Sequence, residues 1–519
     1  MTCRNWKIWG FLTVFATVIL FFVSPDSYLH DMHSRVDAAW FFMGGKAWMN
    51  GLVPYVDFSD SKGPLLWLIY GIGYLLTPAS YIGVFWLTCL CYGGSYFLAF
   101  KTADFFLKDT RKALVCSLLL TFAFFAPWYH IENRAEDFCQ FLMLLSLYRT
   151  CRLLYGQSVT DKELTWTSAI LGGCFGASLL IKFNIAAMQS VFILWEIIYL
   201  IREKRNWGKA VSGGVAGFTA VTLPFIVCFL IEGNFPAFIR EYFVNTVNTI
   251  NYVEPGWNTL LLLEHVPADN PLLVYLAEWS SVLVKPVFAT MFSLLILGGL
   301  LSLRMVGRHR WMPLTVSLFI FAISIRHHDD EHYLSICAFL FLFVIIGFCS
   351  LFQHRLLRNP LFAAIVVSGV IIPSQLLSNG FKHLFFNHNI NQRDYYKVSW
   401  LMSQVDHPTL LNAYDCEHGF GTPEGVLPAG KYWTRQTGMT REMMQEHNEL
   451  ILSGKADFII LYNDFFDQET ALSPEEIVRS GYKEYFVFGE FNQWTIFSKH
   501  DGLTVREDAT PSLRRLFFK

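Results

Sequence analysis

Charge is what this sequence has least of. Of its 519 residues only 16% are Asp, Glu, Lys or Arg, against about 25% in a soluble domain. Uncharged runs such as 8–23 and 113–127 take the place of the missing charge. Such runs exclude an ordinary soluble chain. No excess of positive charge offsets them: the net charge of −2 leaves no electrostatic footprint for a nucleic-acid partner. A disulfide framework is missing too. Of the eleven cysteines, Cys89, Cys91, Cys116, Cys139, Cys174, Cys228 and Cys337 lie inside apolar runs, where thiols behave as small buried hydrophobes. Cys416 alone sits in a soluble-looking stretch, and it has no obvious partner. No A-x-A-like site follows the N-terminal apolar segment, so an uncleaved anchor is expected there. Finally, the pattern of residues 1–150 does not recur in the second half, which weighs against a repeat-built transporter.

What is present is apolar and aromatic. Hydrophobic residues make up 53% and aromatics 17%, and mean hydropathy is +0.37. The expected class is a polytopic α-helical membrane protein. Arg4 and Lys7 precede the first span, about 8–24, which predicts a cytoplasmic N-terminus. The next basic connection holds Lys101, Lys108, Arg111 and Lys112. Between the two lies one full-length span, about 81–100, and one short run, 63–77, closed by Pro78. That run has about 15 residues, whereas crossing takes roughly 20. If it crossed, the basic loop would face outward. It is therefore predicted to stay on the outer face as a re-entrant or interfacial helix. Further spans are predicted at about 113–127, 138–154, 164–181, 185–201, 209–231, 281–303, 311–325, 333–351 and 361–377, giving about 11 transmembrane helices. Residues 1–379 form the transmembrane domain in this reading, and 380–519 a small extracytoplasmic α/β domain. In the latter, 409–414, 456–462 and 484–489 read as strands and 440–453 as a helix. The Gly-rich "GFGTPEG" has no following helix of the phosphate-binding type and reads as a loop.

Charges beside a membrane are costly unless paired or functional, and four outer clusters stand out. The first is Asp37, in "SRVDAAWFFMGGKAWMNG"; Ser34 and Asp37 also fit a helix capping box. The second is Asp57, Asp60 and Lys62, directly before the apolar run. Its plain alternative is a solvated turn, with Gly63-Pro64 setting the helix start. The third is "WYHIENRAEDF", where Glu132, Glu136 and Asp137 crowd a short loop; Glu132 and Glu136 share a helical face if helix reaches that far. Surface charge between two spans is the plain alternative. The fourth is "RHHDDEHY", Arg326 to Tyr333, whose histidines and acids match no specific zinc spacing. Lys182, in "LLIKFN" between two spans, needs an anion or an outward reach. Acids and cations on one outer face suit a lipid-linked phosphate substrate: an acid deprotonates a hydroxyl and cations hold the leaving phosphate.

The order of these motifs resembles a family. Residues 37–67, "DAAWFFMGGKAWMNGLVPYVDFSDSKGPLLW", resemble the first outer loop of bacterial GT-C glycosyltransferases. These are relatives of the protein O-mannosyltransferases and of the aminoarabinose transferase that modifies lipid A. The matching features are Asp37, then Gly51-Leu52-Val53-Pro54-Tyr55, then Asp60-Ser61-Lys62-Gly63-Pro64. "ENRAEDFCQF" is similar to the family's second acidic element, with Glu136 as its nearest match. "HYLSICAFL" is similar to the element in which a tyrosine opens a late span, and "LLIKFN" to a position with a lysine at a span's outer end. The charge of "NRAED" departs from the family pattern and leaves the second acid open among Glu132, Glu136 and Asp137.

The resemblance implies an inverting glycosyltransferase with a polyprenyl-phosphate-linked sugar as donor, working at the outer face of the cytoplasmic (inner) membrane. Asp37 would be the base and Glu136 the second acid. Lys62, Lys182, Arg326, His332 and Tyr333 would hold the donor phosphate, with Asp60, Tyr55 and Glu132 in support. Glu136 and Asp137 would be the ligands of a divalent cation, Mg or Mn, if one is used. Partners would be the lipid-linked sugar, membrane lipids and an acceptor glycan, lipid or protein. The other readings are a transporter or flippase of lipid-linked glycans, and a non-catalytic scaffold.

Overall fold

The computed structural model describes residues 3–29, 37–125, 135–246, 286–303, 309–324, 336–352, 355–379, 390–413, 419–434, 439–463, 472–488 and 494–506. Helix dominates. In chain order the helices are α1 (Cys3–Val23), α2 (Asp37–Met49), α3 (Pro64–Leu76), α4 (Ile82–Leu107), α5 (Thr110–Leu119), α6 (Thr121–Phe124), α7 (Ala135–Tyr155), α8 (Asp161–Ile181), α9 (Phe183–Arg202), α10 (Trp207–Ile231) and α11 (Phe235–Phe238). A π-helical turn, Ile239–Asn245, follows α11. Then come α12 (Pro286–Ser302), α13 (Met312–Ser324), α14 (Phe341–Leu351), α15 (Pro360–Asn379) and α16 (Ile390–Met402).

Helix therefore lies on every segment where a span was expected. Five of these helices, α1, α4, α8, α9 and α10, are long and apolar enough to cross a membrane by length and composition. Capping explains where some begin. Asp109 accepts from the amides of Arg111 (3.1 Å) and Lys112 (3.2 Å), so α5 starts at Thr110, ahead of its apolar run. Thr160 and Glu163 form a capping box that starts α8 at Asp161.

The chain divides into two compact units. The first comprises Met1–Val23, Thr88–Phe225 and Glu254–Asn379; the second comprises Ser24–Leu87, Ile226–Val253 and Gly380–Lys519. In the first unit α8 and α10 touch backbone to backbone. A Cβ on Gly217 would lie 1.8 Å from the Ala169 carbonyl oxygen, and one on Gly213 would lie 2.3 Å from that of Thr165. This is the small-xxx-small packing that lets helices associate without a hydrophobic driving force. Apolar side chains such as Val211, Val215 and Leu223 stay exposed on α10.

In the second unit α2 and α3 cross closely. A Cβ on Gly45 would lie 2.5 Å from the Gly71 nitrogen, so glycine is required there. Each helix has 13 residues, about 20 Å at 1.5 Å per residue, short of a hydrocarbon core about 30 Å thick. Pro64 stands at the first helical position of α3 after Gly63, where its missing N–H costs nothing. Ile72, Leu75 and Leu76 form an exposed apolar stripe on α3, while Leu66, Trp67 and Tyr70 are buried.

The C-terminal part of the second unit carries a five-stranded sheet. Its strands are β1 (Thr409–Asn412), β2 (Leu427–Pro428), β3 (Phe458–Tyr462), β4 (Lys483–Phe488) and β5 (Trp494–Ser498), in the order β2-β1-β3-β5-β4. The β2–β1 and β1–β3 pairs are parallel, and β5 runs antiparallel to both β3 and β4. Helices α17 (Arg441–Leu452) and α18 (Pro474–Arg479) contribute Leu450, Ile451 and Ile477 to a core shared with Leu411, Ile459 and Phe497. "GFGTPEG" is a loop, with Gly419 and Gly425 at φ 80° and 84°.

Asp457 ties this sheet together. It accepts from the Thr409 amide (2.8 Å) and hydroxyl (2.7 Å), and meets His500 at 2.7 Å and Lys499 at 3.1 Å. Burial opposes the charge on Asp457, but these partners outweigh it and lower its pKa to about 2. A lowered folded-state pKa adds stability above the unfolded value of about 3.9, and that contribution is lost as pH falls toward the folded value. Hydrogen exchange of the β1 and β3 amides in the full chain, taken relative to the intrinsic rate at each pH, is therefore expected to accelerate between about pH 4 and pH 2. In Asp457→Asn it should be faster at neutral pH and lack that step; an unchanged step in the variant would contradict the assignment.

Candidate functional site

The most specific part of the sequence, the first loop, folds into a closed turn in the second unit. Val53 and Asp57 bond reciprocally: the Val53 amide donates to Asp57 Oδ2 (2.7 Å) and the Asp57 amide to the Val53 carbonyl (2.9 Å). Tyr55 then reverses the chain at φ 65°, a backbone region costly for a bulky residue and maintained by its surroundings. Its ring is buried against Trp67, Phe238 and Phe229, with centroids 4.8, 5.3 and 5.9 Å away. The Tyr55 hydroxyl donates to the Lys62 carbonyl at 3.2 Å, closing the turn. Burial, then Tyr242 and Asp60, push its pKa well up, which keeps the phenol protonated as that donor.

Lys62 lies at the mouth of this turn, immediately before α3. Its ammonium is 3.9 Å from Asp60 Oδ1, donates to the Ser61 hydroxyl at 3.2 Å, and sits 5.5 Å over the Phe41 ring. Asp60 Oδ1 is occupied by the Ser61 amide (2.5 Å). Asp37 opens α2, one helical turn before Phe41, so both residues lie on one face of that helix. A narrow pocket beside the turn is lined by Trp40, Gly44, Phe58, Asp60, Trp67 and Thr434. Asp60 Oδ2, Trp40 Nε1 and Thr434 Oγ1 are buried without hydrogen-bond partners among the described residues. A hydroxyl satisfies such a set, accepting from the indole and donating to the carboxylate.

In the first unit a second group forms around the first turn of α7. Lys182 stands in extended conformation where α8 ends and α9 begins. Its ammonium reaches back to Glu136 Oε1 at 2.6 Å, with 12% and 2% of the two side chains exposed. The Tyr92 hydroxyl donates to Asp137 Oδ1 at 2.5 Å. Two residues expected to act separately, a second acid and a phosphate-binding lysine, are thus each other's partner. The donor set does not fit a divalent cation well: one carboxylate holds an ammonium and the other a phenol. No group of three or more His, Cys, Asp and Glu suited to a metal occurs among the described residues. Glu132, Arg326, His332 and Tyr333, and the proposed N-cap Ser34, lie outside the described residues.

Three charged residues of the second unit were missed by the sequence reading. Lys46, fully buried on α2, donates to the carbonyls of Gly421 and Pro423, the latter at 3.1 Å. Glu241, 3% exposed, pairs with Lys431 at 2.6 Å. It also accepts from the Tyr432 hydroxyl (2.8 Å) and Asn245 Nδ2 (2.9 Å). The available signal was charge set among aromatic or apolar residues: a lone lysine in "GGKAW" and "GKYW", and Glu241 beside Arg240 in "IREYF".

No family model matches the sequence, and no curated protein matches it. Solved structures do. The chain is similar to ArnT from Cupriavidus metallidurans in the apo state, with 12% identity and a TM-score of 0.58, over 95% of this chain and 98% of that one. It is likewise similar to ArnT from Cupriavidus metallidurans bound to undecaprenyl phosphate, with 13% identity and a TM-score of 0.55, over 97% and 100% of the two chains. At such identity the likeness speaks for the fold alone: this chain shares the fold of those two ArnT structures, and five of its helices are long and apolar enough to cross a membrane.

Proposed function

We propose that this protein is an inverting glycosyltransferase. It moves a sugar from a polyprenyl-phosphate-linked donor to an acceptor glycan, lipid or protein at the outer face of the cytoplasmic membrane. The observation that carries the reading is the Tyr55–Lys62 turn. It sets a lysine at the start of a helix too short to cross a bilayer, in a chain whose fold is shared over 95% of its length with ArnT. A counterpart of that fold binds undecaprenyl phosphate.

In this proposal Asp37 takes the proton of the acceptor hydroxyl. The acceptor oxygen bonds to the anomeric carbon as the bond from that carbon to the phosphate oxygen breaks. The electron pair leaves on the phosphate, which Lys62 stabilises. A single displacement inverts the anomeric configuration. Tyr55 and Asp60 shape the turn that carries Lys62. Glu136 is the second acid and Lys182 its cation; Arg326, His332 and Tyr333 are assigned to the phosphate on the sequence resemblance. No step runs through a metal ion. Eleven spans, a cytoplasmic N-terminus and an extracytoplasmic residue 380–519 segment complete the proposal.

The test in cells compares lipid-linked sugars and envelope glycans with and without the protein. Loss of the protein is expected to remove one sugar from an envelope glycan while its polyprenyl-phosphate donor accumulates. Unchanged profiles in both fractions would contradict the reading.

A further inference from the structure

Glu241 is a buried carboxylate far from any role assigned above, and four of its contacts come from three separate stretches of chain. Lys431 Nζ lies at 2.6 Å and the Tyr432 hydroxyl at 2.8 Å, both from the C-terminal stretch. Asn245 Nδ2 lies at 2.9 Å, from the same π-helical turn as Glu241. The Ser59 hydroxyl, from the first loop, lies at 3.5 Å. The Ser59 amide also donates to the Lys431 carbonyl at 2.9 Å. Lys431 thus holds Ser59 through its backbone and Glu241 through its ammonium. Ser59 is the residue directly before Asp60, whose carboxylate receives the Ser61 amide and lies 3.9 Å from the Lys62 ammonium. A second link from the 226–253 stretch reaches the same turn: Asn234 Nδ2 donates to the Pro54 carbonyl at 3.0 Å.

The chemistry of the cluster is that of a fixed strut. Glu241 and Lys431 have 1% and 12% of their side chains exposed. A buried charge pair with further hydrogen bonds holds one geometry; without Lys431, the buried Glu241 would keep the largely exposed Arg240 guanidinium, 3.3 Å away, in place of a buried ammonium as its counter-charge. The Tyr432 phenol, its pKa raised by burial and then by Glu241, remains a proton donor to that carboxylate.

We infer that Glu241 and Lys431 are positioning residues that hold the Asp60–Lys62 turn in its phosphate-binding conformation, so that the C-terminal stretch completes the donor site. The inference rests on the proposed function, because it takes Lys62 as the phosphate ligand. It assigns residues 431–432 to donor binding, not to choice of acceptor.

The experiment uses full-length protein in detergent or vesicles, with undecaprenyl phosphate as the binding probe and a synthetic polyprenyl-phosphate sugar as donor. Lys431→Met is expected to weaken undecaprenyl phosphate binding about 10- to 100-fold and to raise the donor KM in step, since small misplacements cost that much. The acceptor KM should stay within about 2-fold, whereas a general structural defect would move both, and Lys431→Arg should restore binding to within about 3-fold. The double variant Glu241→Gln with Lys431→Met should be no weaker than Lys431→Met alone, because no buried charge is left unpaired. That double variant also decides the matter if Lys431→Met fails to fold. Folded Lys431→Met that binds the probe like wild type, or equal changes in donor and acceptor KM, would overturn the inference. Wild type that binds no undecaprenyl phosphate would instead overturn the functional reading on which it rests.

Discussion

Asp37→Asn is expected to reduce sugar transfer by about 100- to 10,000-fold, the usual contribution of a positioned general base. The substitution preserves shape and removes only the basic oxygen, so the folded protein should remain. Asp37 opens α2, and the loss should appear in kcat with donor binding unchanged. Stopped-assay kinetics on purified variants measure this. Turnover equal to wild type would remove Asp37 from the base role and shift the search to Glu136 and Asp137.

Lys62→Met is expected to lower kcat/KM for the donor by about 100- to 1000-fold, the typical cost of removing one preorganised stabiliser of developing negative charge. The geometry suits that task. The ammonium stands 3.9 Å from Asp60 and 3.2 Å from the Ser61 hydroxyl, longer than the 2.6 Å that joins Lys182 to Glu136. Lys62→Arg should retain more activity than Lys62→Met, because the charge survives, but less than wild type, because a planar guanidinium replaces a compact ammonium. Equal loss in both variants would point to a requirement for shape at residue 62 and against phosphate stabilisation.

Much of this arrangement was legible in the sequence because it is local. The apolar run that is too short to cross a bilayer is a matter of counting, and α3 ends at Leu76. Gly63-Pro64 marks a helix start by its own chemistry. The long apolar helices follow from composition, but their ends differ: α4 runs on to Leu107, the segment expected at about 113–127 is split into α5 and α6, and Asp109 and Thr160 cap α5 and α8 ahead of the apolar residues. The sheet was less legible. β5 is buried on every residue, so it shows no alternation, and β2 has only two residues.

The candidate site was legible as residues but not as pairs. Asp60, Lys62 and Tyr55 are near one another in sequence, and their turn closes over a few residues. Glu136 and Lys182 are 46 residues apart, and each was read as acting alone. Glu241 and Lys431 are 190 residues apart, and only the folded chain brings them together. A single charge among aromatics signals that a partner is needed, yet nothing local says which residue supplies it.

One measurement tests the central claim most directly. Purified protein in vesicles is given a synthetic polyprenyl-phosphate sugar and a crude envelope acceptor fraction, and the glycosidic product is analysed by NMR. The account predicts release of polyprenyl phosphate in equal amount to sugar transferred, with the anomeric configuration inverted relative to the donor. Retained configuration would contradict the single displacement, and movement of intact donor across the vesicle membrane without transfer would contradict the account as a whole.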